Sequence, residues 1–267
     1  MTASDWNEPF PPYRVIGNVY YVGTRGLASF LIHTADGDIL INSDLQESVP
    51  LIRQSVAKLG FRFSNIKILL ISHAHFDHCA GSSLVKKLTG AKYMVMDRDV
   101  REVEDGGRSD FQYGNLPTFL FPPAKVDRVL HDNDKVTLGG VELAAHLTPG
   151  HTKGCTTWTM KASENGRTYD VVIVGSPNVN SGYKLINNAA YPQITSDFEQ
   201  TFAVLKSLHC DIFLGAHGSY YGMEQKYALL KTGGTNPFID PAGYKQYVER
   251  TKQAFYAELR RQSEKKR

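Results

Sequence analysis

The chain has 267 residues, 42% apolar and 21% charged, an ordinary globular mixture long enough to bury a sizeable core. Thirty basic against 27 acidic residues leave a formal net charge of +3, too weak a bias to argue for nucleic acid. No apolar run reaches the roughly 18 residues of a membrane span, and three cysteines without a C-x-x-C exclude a disulfide scaffold.

Residues 1–12 read as an extended arm, because Pro9, Pro11 and Pro12 forbid a helix. No basic stretch followed by an apolar one precedes them, so no signal peptide is visible; a cytosolic protein and a processed form both fit. The stretches VIGNVYYVG and ASFLIHTADGDILINSD alternate apolar and polar residues around turn signals, which predicts a meander of short strands. SVPLIRQSVAKLG carries Val49, Ile52, Val56 and Leu59 at helical spacing and closes on Gly60. IKILLIS predicts a buried strand, SSLVKKLTG a helix closing on Gly90, and KYMVMD another strand. Residues 105–124 are rich in Gly, Pro and aromatics without a clean period, which marks an irregular functional loop.

Residues 127–162 predict three or four strands, YDVVIVGS a buried strand, and ITSDFEQTFAVLKSL a helix with Ser196 or Asp197 near its start. CDIFLGAHGS is again a buried strand, and the segment from PAGYKQYVERTKQAFYAELRRQ is an amphipathic helix. The basic run RRQSEKKR at the end reads as a solvated, frayed tail. Strands and helices follow the same rhythm twice, which implies two sheets packed on each other with helices outside, a mixed α/β (α+β) class. No linker divides the chain, so residues 1–267 read as a single domain.

SHAHFDHCAG places His73, His75, Asp77 and His78 within six residues, a density that packing does not explain. His151 in LTPGHTKG and His217 in FLGAHGS also follow predicted strands, where active sites collect. Six nitrogen and oxygen donors exceed one tetrahedral ion and fit two. They suit zinc and leave manganese or iron open. His73 and His75 point the same way from extended backbone. One metal then takes His73, His75 and His151, and the other takes Asp77, His78 and His217, each with an open place for water as catalytic sites have. His33, His131, His146 and His209 carry no expected role.

HAHFDH, TPGHTKG and GAHGS together resemble the metallo-β-lactamase superfamily over nearly the whole chain. That resemblance implies a four-layer αβ/βα sandwich with a dinuclear zinc site at one edge of the sheets. Many branches carry a metal-bridging aspartate where this chain has Gly175 and Ser176, and no Asp follows before Asp197. The B1 branch takes a cysteine where Ser176 stands, and the B2 branch an asparagine at position 73. The combination here, with INSDLQ, LTPGHTKGCTTWTM and GYKL, resembles subclass B3. The subclass resemblance implies hydrolysis of penicillins, cephalosporins and carbapenems by zinc-bound hydroxide, conferring antibiotic resistance. It also implies that Asp77 orients the hydroxide and that no protein nucleophile is involved. Ser176, Asn178 and Asn180 are the implied contacts to the substrate carboxylate, with Pro177 stiffening that stretch.

Tyr113 is placed to close over the substrate, residues 23–29 are a second rim, and Phe111, Phe119 and Phe121 anchor the loop. A monomer in the periplasm, with a small-molecule partner and neither nucleic acid nor membrane, completes the expectation. Relatives often join a cysteine at the place of Cys210 to one late in the chain, where Tyr244 stands here; Cys79, directly after a ligand, reads as a buried inert thiol. The alternative is another hydrolase of this fold acting on thioesters or lactones.

Overall fold

A computed structural model describes residues 6–264. Its first sheet runs β1 (Tyr13–Ile16), β2 (Val19–Tyr21), β3 (Phe30–Thr34), β4 (Gly37–Ile41), β5 (Ile66–Leu70), β6 (Lys92–Met96) and β7 (Arg128–Leu130) in spatial order. The pairings are antiparallel up to β4 and parallel beyond it. The second sheet lies in the order β12 (Ile212–Gly215), β11 (Arg167–Val174), β10 (Thr156–Glu164), β9 (Val141–Leu147) and β8 (Lys135–Leu138). Only its β11–β12 pair is parallel.

The two-residue period of a strand sorts the first sheet's side chains between two cores. Ile39, Ile41, Ile68, Leu70, Met94 and Met96 are buried with Trp158, Met160 and Ala162 of β10, between the sheets. Leu40, Leu69, Tyr93 and Val95 face the other way. They pack with Val49, Ile52 and Val56 of α1 (Val49–Lys58), Val85 of α3 (Ser82–Thr89) and Val103 of α4 (Val100–Asp105). On the far side of the second sheet, α5 (Ile194–Ser207) buries Phe198, Phe202 and Leu205, and α7 (Pro241–Glu264) buries Tyr244, Tyr247, Val248 and Phe255. Helices, sheet, sheet, helices is the four-layer sandwich that the repeated rhythm implies.

Three short helices go beyond the sequence reading: α2 (Phe76–Cys79), α4, and α6 (Met223–Leu230), which buries only Met223. None is long enough to display a full apolar stripe. Neither Ser196 nor Asp197 caps α5: the Ser196 hydroxyl donates to Gln193 O, and the Asp197 carboxylate accepts from the Tyr191 hydroxyl at 2.6 Å. The expected fraying of the basic tail is corrected as far as Glu264. Helix α7 continues to that residue, and within it Gln262 accepts from Leu185 N (2.8 Å) and donates to Tyr183 O (2.7 Å). Residues 265–267 of that run, and residues 1–5 of the N-terminal arm, lie outside the described residues.

Strands β5, β9, β11 and β12 bring their C-terminal ends to one edge, ahead of His73, His151, Ser176 and His217 respectively. The two sheets are tied together there. The Trp158 indole donates to Ile71 O at 3.0 Å and Thr156 N donates to Ser72 O at 2.7 Å, both next to the first ligand loop. Asn42, in left-handed backbone after β4, accepts from Ser72 N at 2.8 Å and so fixes the same turn.

Candidate metal centre

The chain leaves β5, runs extended through His75, and winds at once into the single turn of α2. That sequence of extended and helical backbone turns His73 and His75 to one position and Asp77 and His78 to the next. Donor atoms of His73, His75 and His151 lie within 4.8 Å of one another, as do those of His73, Asp77 and His78. His217 closes the second group: its Nε2 is 3.2 Å from His78 Nε2 and 3.5 Å from Asp77 Oδ2, while Asp77 Oδ2 is 3.2 Å from His78 Nε2. All six residues named from the sequence are thus brought together.

Four of the five imidazoles have a neighbour at their other nitrogen, and His78 Nδ1 is buried without one among the described residues. His151 Nδ1 donates to Asn178 O (2.8 Å) and His217 Nδ1 to Gly26 O (3.2 Å), which leaves both Nε2 lone pairs facing the cluster. His75 Nε2 faces Asp110 Oδ2 at 3.5 Å, leaving Nδ1 for the cluster. His73 sets Nδ1 beside Ser72 Oγ (3.2 Å), and its Nε2 is buried with no protein partner.

The electrostatics point the same way. Burial, and then the neighbouring His78, pushes His73 well below the ordinary histidine range; burial and His75 do the same to His151. Burial and His78 push His217 down to about 4. Burial raises the Asp77 carboxyl, but His78, His217 and His75 outweigh it and hold the group below the usual carboxylate range. Three imidazoles held neutral with lone pairs at the cluster, one ionised carboxylate and an orphaned buried nitrogen on His73 are what a bound metal requires and what packing alone would penalise. The donor set fits a metal cofactor.

The predicted substrate contacts separate into two kinds. Tyr113 is half-buried, its ring 5.3 Å from that of His75, and its hydroxyl accepts from Asn180 Nδ2 at 3.1 Å. Ser176 lies beneath the site, 1% exposed, with its hydroxyl 3.0 Å from that of Tyr220. The Asn178 amide donates to Tyr247 OH at 3.0 Å while its backbone carbonyl holds His151. Phe119 stacks on Tyr113 with centroids 4.5 Å apart, Phe111 packs on Tyr183 and Tyr191, and Phe121 is buried in the outer core. The 105–124 segment is therefore an anchored loop whose aromatic wall faces the cluster. Cys79 is buried, donates to His75 O, and burial holds its thiol well above the usual range. All three cysteines are free, and Cys210 and Tyr244 line one cavity. His33, His131, His146 and His209 pair with Asp38, Asp97, Thr159 and Asp170, away from the cluster.

Trp6 goes beyond the residues that the sequence singles out. Its ring sits 5.5 Å from His217 and 6.3 Å from Phe76. Its carbonyl accepts from Thr24 Oγ1 and Gly26 N, so the arm and residues 23–29 form one rim. The arm has no periodicity that would announce it. Asp110 and Tyr183, whose hydroxyl donates to His151 O at 2.7 Å, are likewise invisible in sequence as ordinary loop residues.

Two facing sheets whose shared edge carries six nitrogen and oxygen donors define a metal-dependent hydrolase scaffold. Residues 22–163 match the Metallo-beta-lactamase superfamily, and the chain belongs to it. The native FEZ-1 metallo-beta-lactamase from Legionella gormanii is 56% identical, with 96% of this chain and 98% of that one covered and a TM-score of 0.95. BJP-1, a subclass B3 metallo-beta-lactamase of Bradyrhizobium japonicum, is 36% identical over 100% of both chains, with a TM-score of 0.93. A probable metallo-hydrolase of Burkholderia pseudomallei is 31% identical over 107 residues, 40% of this chain and 35% of that protein, so the match spans about a third of the curated relative.

Proposed function

We propose that this protein is a zinc β-lactamase of subclass B3 type that opens the β-lactam ring of penicillins, cephalosporins and carbapenems, with two zinc ions per chain, and so confers antibiotic resistance. The observation that carries this is the convergence of His73, His75, His151, Asp77, His78 and His217 in a chain that matches FEZ-1 along its length. The first trio would hold one ion and the Asp77 trio the other. Zinc bound there would supply Lewis acidity and bring the pKa of a water down to about 7.

The chain's own residues do the rest. Ionised Asp77 offers a carboxylate oxygen at the cluster that accepts a hydrogen bond and so orients the attacking water. Asn180 and Tyr113 present an amide and a hydroxyl at the mouth, suited to a substrate carboxylate, while Trp6, Phe76 and Phe119 offer an apolar wall. Ser176 and Asn178 support that stretch from below through Tyr220 and Tyr247. Cys79 and Ser176 are buried and engaged, so neither serves as a nucleophile and no covalent intermediate is expected.

Residues 1–267 are read as one domain with 105–124 as its site loop. No described helix is long and apolar enough to cross a membrane. A monomer is the expected state, and size-exclusion chromatography with light scattering tests it. A periplasmic location follows from the resemblance, and cell fractionation tests it. Turnover of a chromogenic cephalosporin and a carbapenem tests the substrate class. Turnover of thioesters or lactones in their place would transfer the site to the alternative hydrolase reading.

A further inference from the structure

We infer that Asp99 is a positioning residue that sets the spacing between the two chain segments supplying His73, His75 and His151. The inference rests on the reading of that trio as a metal site. Asp99 stands between β6 and α4 and is 1% exposed. As the residue capping α4 it makes no side-chain bond to its own helix. Its carboxylate turns to the site instead. Oδ2 accepts from Ala74 N at 2.9 Å and from Thr152 Oγ1 at 2.8 Å, and Oδ1 accepts from Gly154 N at 2.6 Å. Ala74 lies between His73 and His75, and Thr152 follows His151. One buried carboxylate thus grips both ligand segments at the level of the ligands.

The approach is close enough to dictate sequence. A Cβ on Gly154 would stand 2.5 Å from Asp99 N and 2.7 Å from Asp99 Cγ, so the last glycine of TPGHTKG is needed for this contact. The other bonds joining the two segments, Thr156 N to Ser72 O and Trp158 Nε1 to Ile71 O, lie farther back toward the sheets. Loss of Asp99 therefore leaves the bases of the loops tied and frees their tips. Zinc–nitrogen bonds have little tolerance, about 0.2 Å around 2.0–2.1 Å, so a loosened tip weakens the ion. Asparagine cannot substitute, because its amide would set a donor against the N–H of Ala74 or Gly154.

The test is zinc affinity by chelator competition on the purified full chain. In a His217→Ala background the first trio is read alone, and in a His151→Ala background the second. Asp99→Asn should weaken zinc at the first trio about 10- to 100-fold, the usual scale for a group that orients ligands. The second trio should change by less than about twofold. Thr152→Val should show a smaller loss with the same selectivity, and at saturating zinc kcat should fall with KM unchanged. Unchanged affinities, or equal loss at both trios, would overturn the inference. If Asp99→Asn does not fold, Thr152→Val decides alone by the same criteria. A wild-type chain that binds no zinc would fail the metal reading itself and take this inference with it.

Discussion

His78 Nε2 and His217 Nε2 stand 3.2 Å apart, with Asp77 Oδ2 3.2 Å from the first and 3.5 Å from the second. They come from α2, which follows β5 of the first sheet, and from the end of β12 in the second. Two imidazoles and a carboxylate crowd together in a protein interior only if something draws on all three. Asp77 is the sole anion of the six, so its removal strips charge from the second trio. Asp77→Asn should bind one zinc per chain in place of two and lose kcat by about 100-fold or more, the scale of losing an electrostatic group at a reacting centre. Metal analysis and steady-state kinetics on one sample check it. Two zincs and unimpaired turnover would contradict it.

Trp6 covers one side of the cluster from an arm held by Thr24 and Gly26. Trp6→Ala removes apolar contact area from the substrate's path without touching a donor. KM for bulky cephalosporins should rise, by roughly tenfold for about 1.4 kcal/mol of lost binding, with kcat little changed, as expected when uniform binding is lost. A fall in kcat with constant KM would assign Trp6 to the chemistry instead.

The spacing of ligands is legible in the sequence because metal binding imposes a local pattern: HAHFDH needs no tertiary context, and the glycine after His217 marks a strand end. Strands β5 and β12 are legible because both faces are buried and they read as continuous apolar runs. What stays hidden is what the fold assembles from afar. Asp99 carries no signal in sequence, since no helix is predicted after it, Trp6 looks like part of a proline-broken arm, and Gln262 like part of a solvated tail. Their roles depend on Gly154, His217 and Tyr183, which meet them only after the sheets close. Helix α6 is hidden for another reason, since it buries too little to show a stripe.

Trp158 joins packing to polar satisfaction, being 1% exposed between the sheets with its indole on Ile71 O. Trp158→Phe should cost about 1–3 kcal/mol for the orphaned carbonyl alone, and Trp158→Ala about 3–5 kcal/mol for the cavity. Thermal unfolding should report drops of roughly 2–4 °C for each kcal/mol. Equal stability of Trp158→Phe and wild type would show that the carbonyl finds another donor.

In the metal-free protein the buried histidines should withdraw stability as pH falls, opposed by the Asp44 and Asp99 carboxyls, which burial raises to about 7 and about 6. Burial lowers His73, His151 and His217 in the folded state, the last to about 4 from an ordinary 6.5. Between those values these three histidines bind more protons in the unfolded chain than in the folded one, so their contribution to the unfolding free energy declines as pH drops from 6.5 toward 4. Zinc should suppress the effect in that window until protons displace it. Urea titrations of the apo wild type and apo His217→Ala at stepped pH isolate the contribution: the wild type should lose more stability than the variant between pH 6.5 and 4, and equal slopes would refute the argument.

The central claim is that zinc at these six residues drives β-lactam hydrolysis. Its most direct test is turnover of a chromogenic cephalosporin and a carbapenem by the purified chain, with zinc counted on the same sample before chelation, after it, and after zinc is restored. The account predicts near two zincs per chain, activity abolished by the chelator, and activity regained with the metal. Near two zincs with no turnover of either β-lactam, or turnover indifferent to the chelator, would contradict it.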